Sequence, residues 1–200
     1  MAIDEWLLAH AELPVLRVYR WEENWGSLGY FAAIAEAREI FPGLNWVRRW
    51  TGGGLVDHRD DWTYTLVVPG GERLAATRGA ESYRLIHEAL GQVLNSGGVR
   101  LSAGHEVTGA AACFENPVEH DLVDANDLKR AGAGQRRTKT GLLHQGSVSG
   151  KLEIHASRER AVALAEVLAR EVLDLVAKPR PGEIFMLERR YRETGWTQRR

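Results

Sequence analysis

The 200-residue sequence has one cysteine, Cys113, only four lysines, six prolines and almost no net charge. A lone cysteine excludes an intramolecular disulfide and an all-cysteine metal cage, and it suits a reducing compartment, so a cytoplasmic location is expected. No apolar run approaches the ~20 residues that a membrane-spanning helix needs. The opening Met1-Ala2-Ile3-Asp4-Glu5 is acidic, without the basic start of an export signal. With 26 basic against 27 acidic side chains, there is no positive field for coating nucleic acid. The terminal arginines Arg189, Arg190, Arg199 and Arg200 stand outside any aromatic-interleaved binding motif. Because nearly all basic side chains are arginine, the lysines (Lys129, Lys139, Lys151 and Lys178) stand out, above all one beside glycines.

What is present is the composition of a globular protein, 44% hydrophobic and 26% charged. Residues 1–200 are the length of a single domain, with no accessory carboxyl-terminal domain expected. Helical spacing runs from Ile3 to His10, and Pro14 separates it from a strand at Val15 to Tyr19. Alanine-rich Phe31 to Ile40 reads as helix up to Pro42-Gly43, followed by a short strand at Leu44 to Val47. Trp62 to Val68 is the clearest strand, dense in β-branched and aromatic residues and expected inside a sheet. Glu81 to Asn95 is an amphipathic helix whose Ile86, Leu90, Val93 and Leu94 should cover that sheet. Short extended pieces follow at Val99 to Leu101, His120 to Asp124 and Leu142 to Val148, with Asn126-Asp127 as a turn. Helices are expected at Arg158 to Val176 and Glu183 to Arg192. The alternation points to an α/β or α+β domain, without fixing the strand order.

Five segments carry groups that could do chemistry. Arg48-Arg49-Trp50-Thr51-Gly52-Gly53-Gly54-Leu55-Val56-Asp57-His58 sets two cations and a glycine triplet between two strands. Consecutive glycines can turn backbone amides toward an anion, and the same triplet can equally be a flexible connection. It is neither a Walker loop nor a dinucleotide fingerprint, because no Gly-Lys-Ser/Thr follows and a strand follows where a helix would be needed. Lys129 to Arg137 places a lysine beside Gly132 and Gly134, either as a point charge in a cleft or as a solvated basic turn. His144, on the strand Leu142 to Val148, is either an acid–base group or a hydrogen-bonded structural residue. Cys113 precedes the loop signal Asn116-Pro117 and is either a thiolate nucleophile near a cation or a buried inert thiol. Asp57 to Asp61 holds metal-ligand residue types without ligand spacing, which favours a solvated loop over a metal site.

Taken in order, these segments resemble the biotin/lipoate protein ligase family, in its lipoate-ligase and octanoyltransferase branch. The resemblance runs through Leu16-Arg17-Val18-Tyr19-Arg20-Trp21, Ser27-Leu28-Gly29, the arginine–glycine segment, Tyr64-Thr65-Leu66, Cys113-Phe114-Glu115-Asn116-Pro117, Lys129 to Arg137 and Leu143-His144-Gln145-Gly146-Ser147. It implies an α/β (α+β) catalytic domain with a mixed β-sheet and an acyl tunnel between sheet and glycine loop. The implied reaction is attachment of an octanoyl or lipoyl group to a lysine of a carrier domain. In the cysteine transferases a thiol takes the acyl group from octanoyl-acyl carrier protein, with no cofactor. In the ligases the acid is first adenylated with ATP and Mg²⁺. Cys113-Phe114-x-x-Pro117 is similar to the transferase nucleophile segment, whereas Gly54 stands where the ligases have glycine. The expected catalytic pair is Cys113 and Lys129. Arg49, Gly52, Gly53, Gly54, His58, Gly132 and His144 are expected to bind substrate, with no metal ligand. Implied partners are octanoyl-acyl carrier protein and the lipoyl domain of a 2-oxoacid dehydrogenase or a glycine-cleavage H-type protein. Trp50 and Asp57 are unusual for the family, which keeps open a non-catalytic acyl-binding or partner-binding module.

Overall fold

The computed structural model of the chain describes residues 1–94, 98–104, 117–175, 179–180 and 182–199. Two sheets form its frame. Strands β1 (Val15–Tyr19), β5 (Asp61–Pro69), β6 (Arg100–Leu101), β7 (Leu122–Val123), β8 (Lys129–Thr138) and β9 (Gly141–Ser149) make a six-stranded sheet in the order β1-β5-β9-β8-β7-β6. Strands β2 (Trp25–Leu28), β3 (Asn45–Arg48) and β4 (Leu55–Asp57) make a second sheet in the order β3-β2-β4. The expected mixed pairing holds only for the small sheet, where β2 runs parallel to β3 and antiparallel to β4. Every pairing of the large sheet is antiparallel.

Alternation along β5 and β9 sends opposite chemistry to the two faces of the large sheet. Trp62, Tyr64 and Val148 pack with Ala131 against Ala89 and Leu90 of helix α4 (Gly79–Val93) and Leu164 of helix α5 (Ile154–Leu168). On the reverse face, Val67 and Leu143 meet Leu7 and Leu8 of helix α1 (Ala2–His10). Burying each leucine in these clusters contributes about 2 kcal/mol. Leu28, Trp46 and Leu55 of the small sheet close over Ala37 of helix α2 (Ile34–Ile40).

Several elements differ from the sequence expectation. The segment Lys129 to Arg137 is not a turn but lies in the longest strand of the sheet, because pairing with β9 from Ala131 to Thr138 and with β7 at Lys129 and Ala131 overrides its weak β-propensity. Strand β2, with a glycine among four residues, was not expected. Helix α2 starts at Ile34, three residues later than Phe31, after a Gly29 to Ala32 turn closed by Ala32 N–H donating to Gly29 O. Helix α5 begins at Ile154 and ends at Leu168, and Val172 and Leu175 beyond it are exposed. A short α3 (Arg73–Ala76) precedes α4, and a further short helix α7 (Thr194–Gln198) follows α6 (Phe185–Arg192), which matches the expected Glu183 to Arg192 helix. Buried Arg48 anchors α7 by donating to the carbonyls of Thr197 and Arg199, while its other amine donates to Gly29, Tyr30 and Ala32.

Candidate active site

Between the reverse face of the large sheet and the small sheet lies a narrow slot of about 420 Å³, counting its open mouth. Only about 30 Å³ of this is enclosed space, so the lining side chains nearly fill the slot. Register sets its floor. Tyr19, Thr63, Ser147 and Gly132 are direct cross-strand partners on β1, β5, β9 and β8. Crossing four strands spans three interstrand spacings, about 14 Å. Ser27, Arg49, Val56 and His58 of the small sheet and its flanks form the roof.

Lys129 marks the β8 end. Alternation would put it on the same face as Ala131, yet the register of β7 against β8 shifts between Leu122 and Val123. Such a bulge re-aims a side chain. Lys129 therefore runs over Gly132 and into the slot, and a Cβ on Gly132 would sit 2.7 Å from its Nζ. The side chain is buried, and Nζ lies 2.7 Å from Oδ2 of the wholly buried Asp121.

The glycine loop packs beside the roof. Gly53 adopts φ +96°, a conformation that glycine enters without steric cost. The loop comes so close to the sheets that a Cβ on Gly29 would overlap the carbonyl of Gly53, and one on Gly134 would lie 3.0 Å from Thr51 Oγ1. Arg49, buried beneath it, holds it from inside by donating to Gly52 O (3.2 Å), Gly54 O (3.0 Å) and Ser27 O (3.0 Å). Thr51 donates to Gln145 Oε1 (2.9 Å), and Gln145 donates to the buried Asp4, tying the loop to β9 and α1.

A polar chain along one wall joins the expected His58 to Ser27 and Asp61, which the sequence did not place in a site. Ser27 Oγ and His58 Nε2 are 2.7 Å apart, His58 Nδ1 and Asp61 Oδ2 are 2.7 Å apart, and Asp61 also accepts from Thr63 Oγ1 (2.9 Å) and Ser147 Oγ (2.5 Å). Burial pushes His58 below the ordinary imidazole value, partly offset by Asp61, so at neutral pH the ring is neutral. The ring then donates its Nδ1–H to Asp61, which leaves Nε2 to accept from Ser27. Arg49 completes the wall by donating to Ser27 Oγ (2.8 Å). Trp21 stacks on His58 at 4.1 Å and donates to Thr63 Oγ1, covering the β1 end. The segment Asp57 to Asp61, expected as a solvated loop, thus has His58 and Asp61 buried in this wall.

The expected site residues sort clearly. Lys129, Gly132, Arg49 and His58 line one slot, whereas Gly52, Gly53 and Gly54 pack beside it against Gly29, Gly134 and Arg49 without lining it. His144 does not line it. It falls on the opposite face of the sheet, where its Nε2 lies 3.0 Å from Tyr64 Oη and its Nδ1 3.1 Å from Gln135 Nε2 beneath α4. Alternation on β9 fixes that outcome, since Ser147 and Gln145 face the slot and His144 and Gly146 face away. Cys113 lies outside the described residues.

The profile of the lipoyl protein ligase A/B catalytic domain family matches residues 1–171. The chain belongs to that family. Octanoyltransferase LipM of Brevibacillus brevis is 34% identical over 166 residues, covering 74% of this chain and 60% of that protein. Octanoyltransferase LipM of Oceanobacillus iheyensis is 31% identical, covering 74% and 58%. The chain thus spans about three fifths of the length of these curated relatives. Among solved structures, lipoate-protein ligase A bound with ATP superposes with a TM-score of 0.74 at 18% identity, covering 98% of this chain and 92% of the other. The bi-partite lipoate protein ligase of Thermoplasma acidophilum gives 0.73 at 16% identity, covering 98% and 89%. These likenesses establish the lipoyl-ligase fold for the two-sheet frame. Among the described residues, no helix is long and apolar enough to cross a membrane.

Proposed function

We propose that the chain is an octanoyltransferase, moving an octanoyl group from octanoyl-acyl carrier protein to a lysine of a lipoyl domain through a thioester on Cys113. The observation that carries this reading is the Lys129 amine, buried over Gly132 at one end of the slot, in a chain whose similar curated relatives are octanoyltransferases. The Cys113-Phe114-x-x-Pro117 segment supplies the nucleophile.

In the first step the Cys113 thiolate attacks the thioester carbonyl. A bond forms from Sγ to the acyl carbon, the bond to the carrier sulfur breaks, and the carrier thiolate takes up a proton. A cation such as Lys129 favours the attacking thiolate and the oxyanion of the tetrahedral intermediate. In the second step the target lysine, as free amine, attacks the same carbon. The carbon–nitrogen bond forms, the carbon–Sγ bond breaks, and the proton lost by the amine returns to Cys113. Arg49 and the glycine loop keep the slot closed to water around the acyl chain, and the sheet row from Gly132 to Tyr19 lies beneath it. The carrier domain is of the lipoyl type, from a 2-oxoacid dehydrogenase or a glycine-cleavage H-type protein, and the transfer needs no cofactor.

Intact-mass spectrometry tests the reading. Incubated with octanoyl-acyl carrier protein and no nucleotide, the chain should gain the mass of one octanoyl group, and Cys113→Ala should gain none. Acylation of a lipoyl domain that requires ATP and survives Cys113→Ala would instead make the chain a ligase. No acylation under either condition would leave the acyl-binding module.

A further inference from the structure

The amine of Lys129 is the far end of a four-carbon stem, and a stem of that length has many rotamers. Three features remove this freedom, and two of them are side chains on other elements. Gly132 gives the stem a bare stretch of backbone to lie on. Asp121 faces the amine from the turn before β7, with Oδ2 2.7 Å from Nζ. The same oxygen accepts the Val118 backbone N–H at 2.8 Å, while Oδ1 accepts the Tyr83 hydroxyl at 2.5 Å.

Tyr83 comes from the other side of the sheet, on α4. Strand β7 is only two residues long and pairs with Ala131 and Lys129, so among the described residues β8 has no strand partner on that side from Gly132 onward. Through that gap Tyr83 reaches the sheet, and its hydroxyl accepts the Ala133 N–H at 2.9 Å. Burial and the Asp121 charge keep the phenol protonated, so it donates to the carboxylate. The carboxylate is thus held by a helix phenol, itself fixed by the strand edge, and by a loop amide, and it faces the lysine in one orientation.

We infer that Asp121 and Tyr83 are positioning residues for Lys129. They hold its ammonium over Gly132 at the end of the slot and act on the reaction only through it. This rests on the proposed transferase reading for its kinetic consequence, and on geometry alone for its structural one. The functional demand is strict, since displacing a reacting group by about 1 Å can cost roughly 100-fold in rate.

Two measurements on the full chain test it. In octanoyl transfer, Asp121→Asn should lower kcat roughly 100-fold and Tyr83→Phe about 10-fold, with KM for the octanoyl donor kept within about twofold and Asp121→Glu recovering part of the loss. Heteronuclear NMR of the lysine ammonium groups reads the position directly. The Lys129 signal, assigned by its disappearance in Lys129→Arg, should be protected in the wild type and broadened in Tyr83→Phe and Asp121→Asn. Tyr83→Phe removes a single oxygen and serves if Asp121→Asn does not fold. An unchanged Lys129 signal in Tyr83→Phe, a kcat within twofold of wild type, or a raised KM at unchanged kcat overturns the inference. A wild type without octanoyl transfer would overturn the transferase reading instead, and the NMR arm would still decide the position of Lys129.

Discussion

The two faces of the six-stranded sheet are built from the same strands and do opposite work. On the α4 and α5 face, β5 and β9 present Trp62, Tyr64, His144 and Val148, all buried in a packed interior. On the slot face the intervening positions are Thr63, Gln145 and Ser147, with Gly132 beside them on β8. One face is filled by bulk, while on the other small and polar side chains border a narrow slot beside the packing of Val67 and Leu143 on α1. A side-chain period of two separates a stability surface from a chemistry surface with no extra element. Substitutions on the two faces should therefore have effects of different kinds.

Acid is the largest lever, and it acts on the packed face. His87 of α4 is wholly buried against Tyr83 and His144, with Nδ1 bonded to His120 O and burial pushing its pKa down to about 4. In the unfolded chain it titrates near 6.5. Between these values the unfolded chain holds a proton that the folded one refuses, so stability is full above about pH 6.5 and is lost as pH falls toward 4. From His87 alone the loss is on the order of 3 kcal/mol. Urea denaturation at neutral pH and near pH 4.5 should show it, and His87→Leu should flatten the slope. A slope unchanged in that variant would break the assignment of the packed face as the acid-sensitive one.

Two glycines then set the faces against each other directly. Gly132→Ala puts a methyl where the end of the Lys129 stem lies. A flexible stem can yield, so the melting temperature should move little, while octanoyl transfer should fall roughly 100-fold as the amine is displaced. Gly146→Ala puts its methyl against the buried Tyr64 ring, with the hydroxyl 2.5 Å away. A ring held on both sides cannot yield, and overpacking of this kind costs about 2 kcal/mol of stability. Thermal denaturation and a transfer assay on both variants sharpen the contrast, and equal effects on melting would erase it.

The packed face was the more legible of the two in the sequence. Trp62 to Val68 is a β-branched and aromatic run of the kind a buried strand needs, Leu142 to Val148 reads as an extended piece, and the Glu81 to Asn95 periodicity gives the covering helix to within two residues at each end. The slot face was legible in pieces, as a rare lysine beside glycines and an arginine–glycine triplet, and only the resemblance joined them into one site. Lys129 to Arg137 carries no β-branched residue, because Gly132 and Gly134 must stay bare for the lysine stem and the glycine loop, so a strand there looks like a turn. The alternation of Gly132 and Gly134 was the one available signal. Ser27, Asp61, Tyr83 and Asp121 are common residue types whose meaning comes from partners 31 to 86 positions away or from a three-residue step inside a charged run. His144 was misplaced for the converse reason, since its motif was read without applying the strand's own period.

The smallest effect should come from the slot wall, where polar groups back one another up. Ser27→Ala removes the hydroxyl between His58 and Arg49 without changing the backbone of β2. Arg49 keeps its bonds to Ser27 O, Gly52 O and Gly54 O, and Asp61 still holds His58 Nδ1. What is left without this partner is His58 Nε2, and one buried acceptor so stranded costs about 1 kcal/mol. Denaturant unfolding should report that loss, and octanoyl transfer should change by less than about threefold, because the hydroxyl is a wall group rather than a reacting one. A loss of transfer as large as that from Gly132→Ala would move Ser27 and His58 from the wall into the chemistry, and would place the division between packing and reaction inside the slot instead of between the two faces of the sheet.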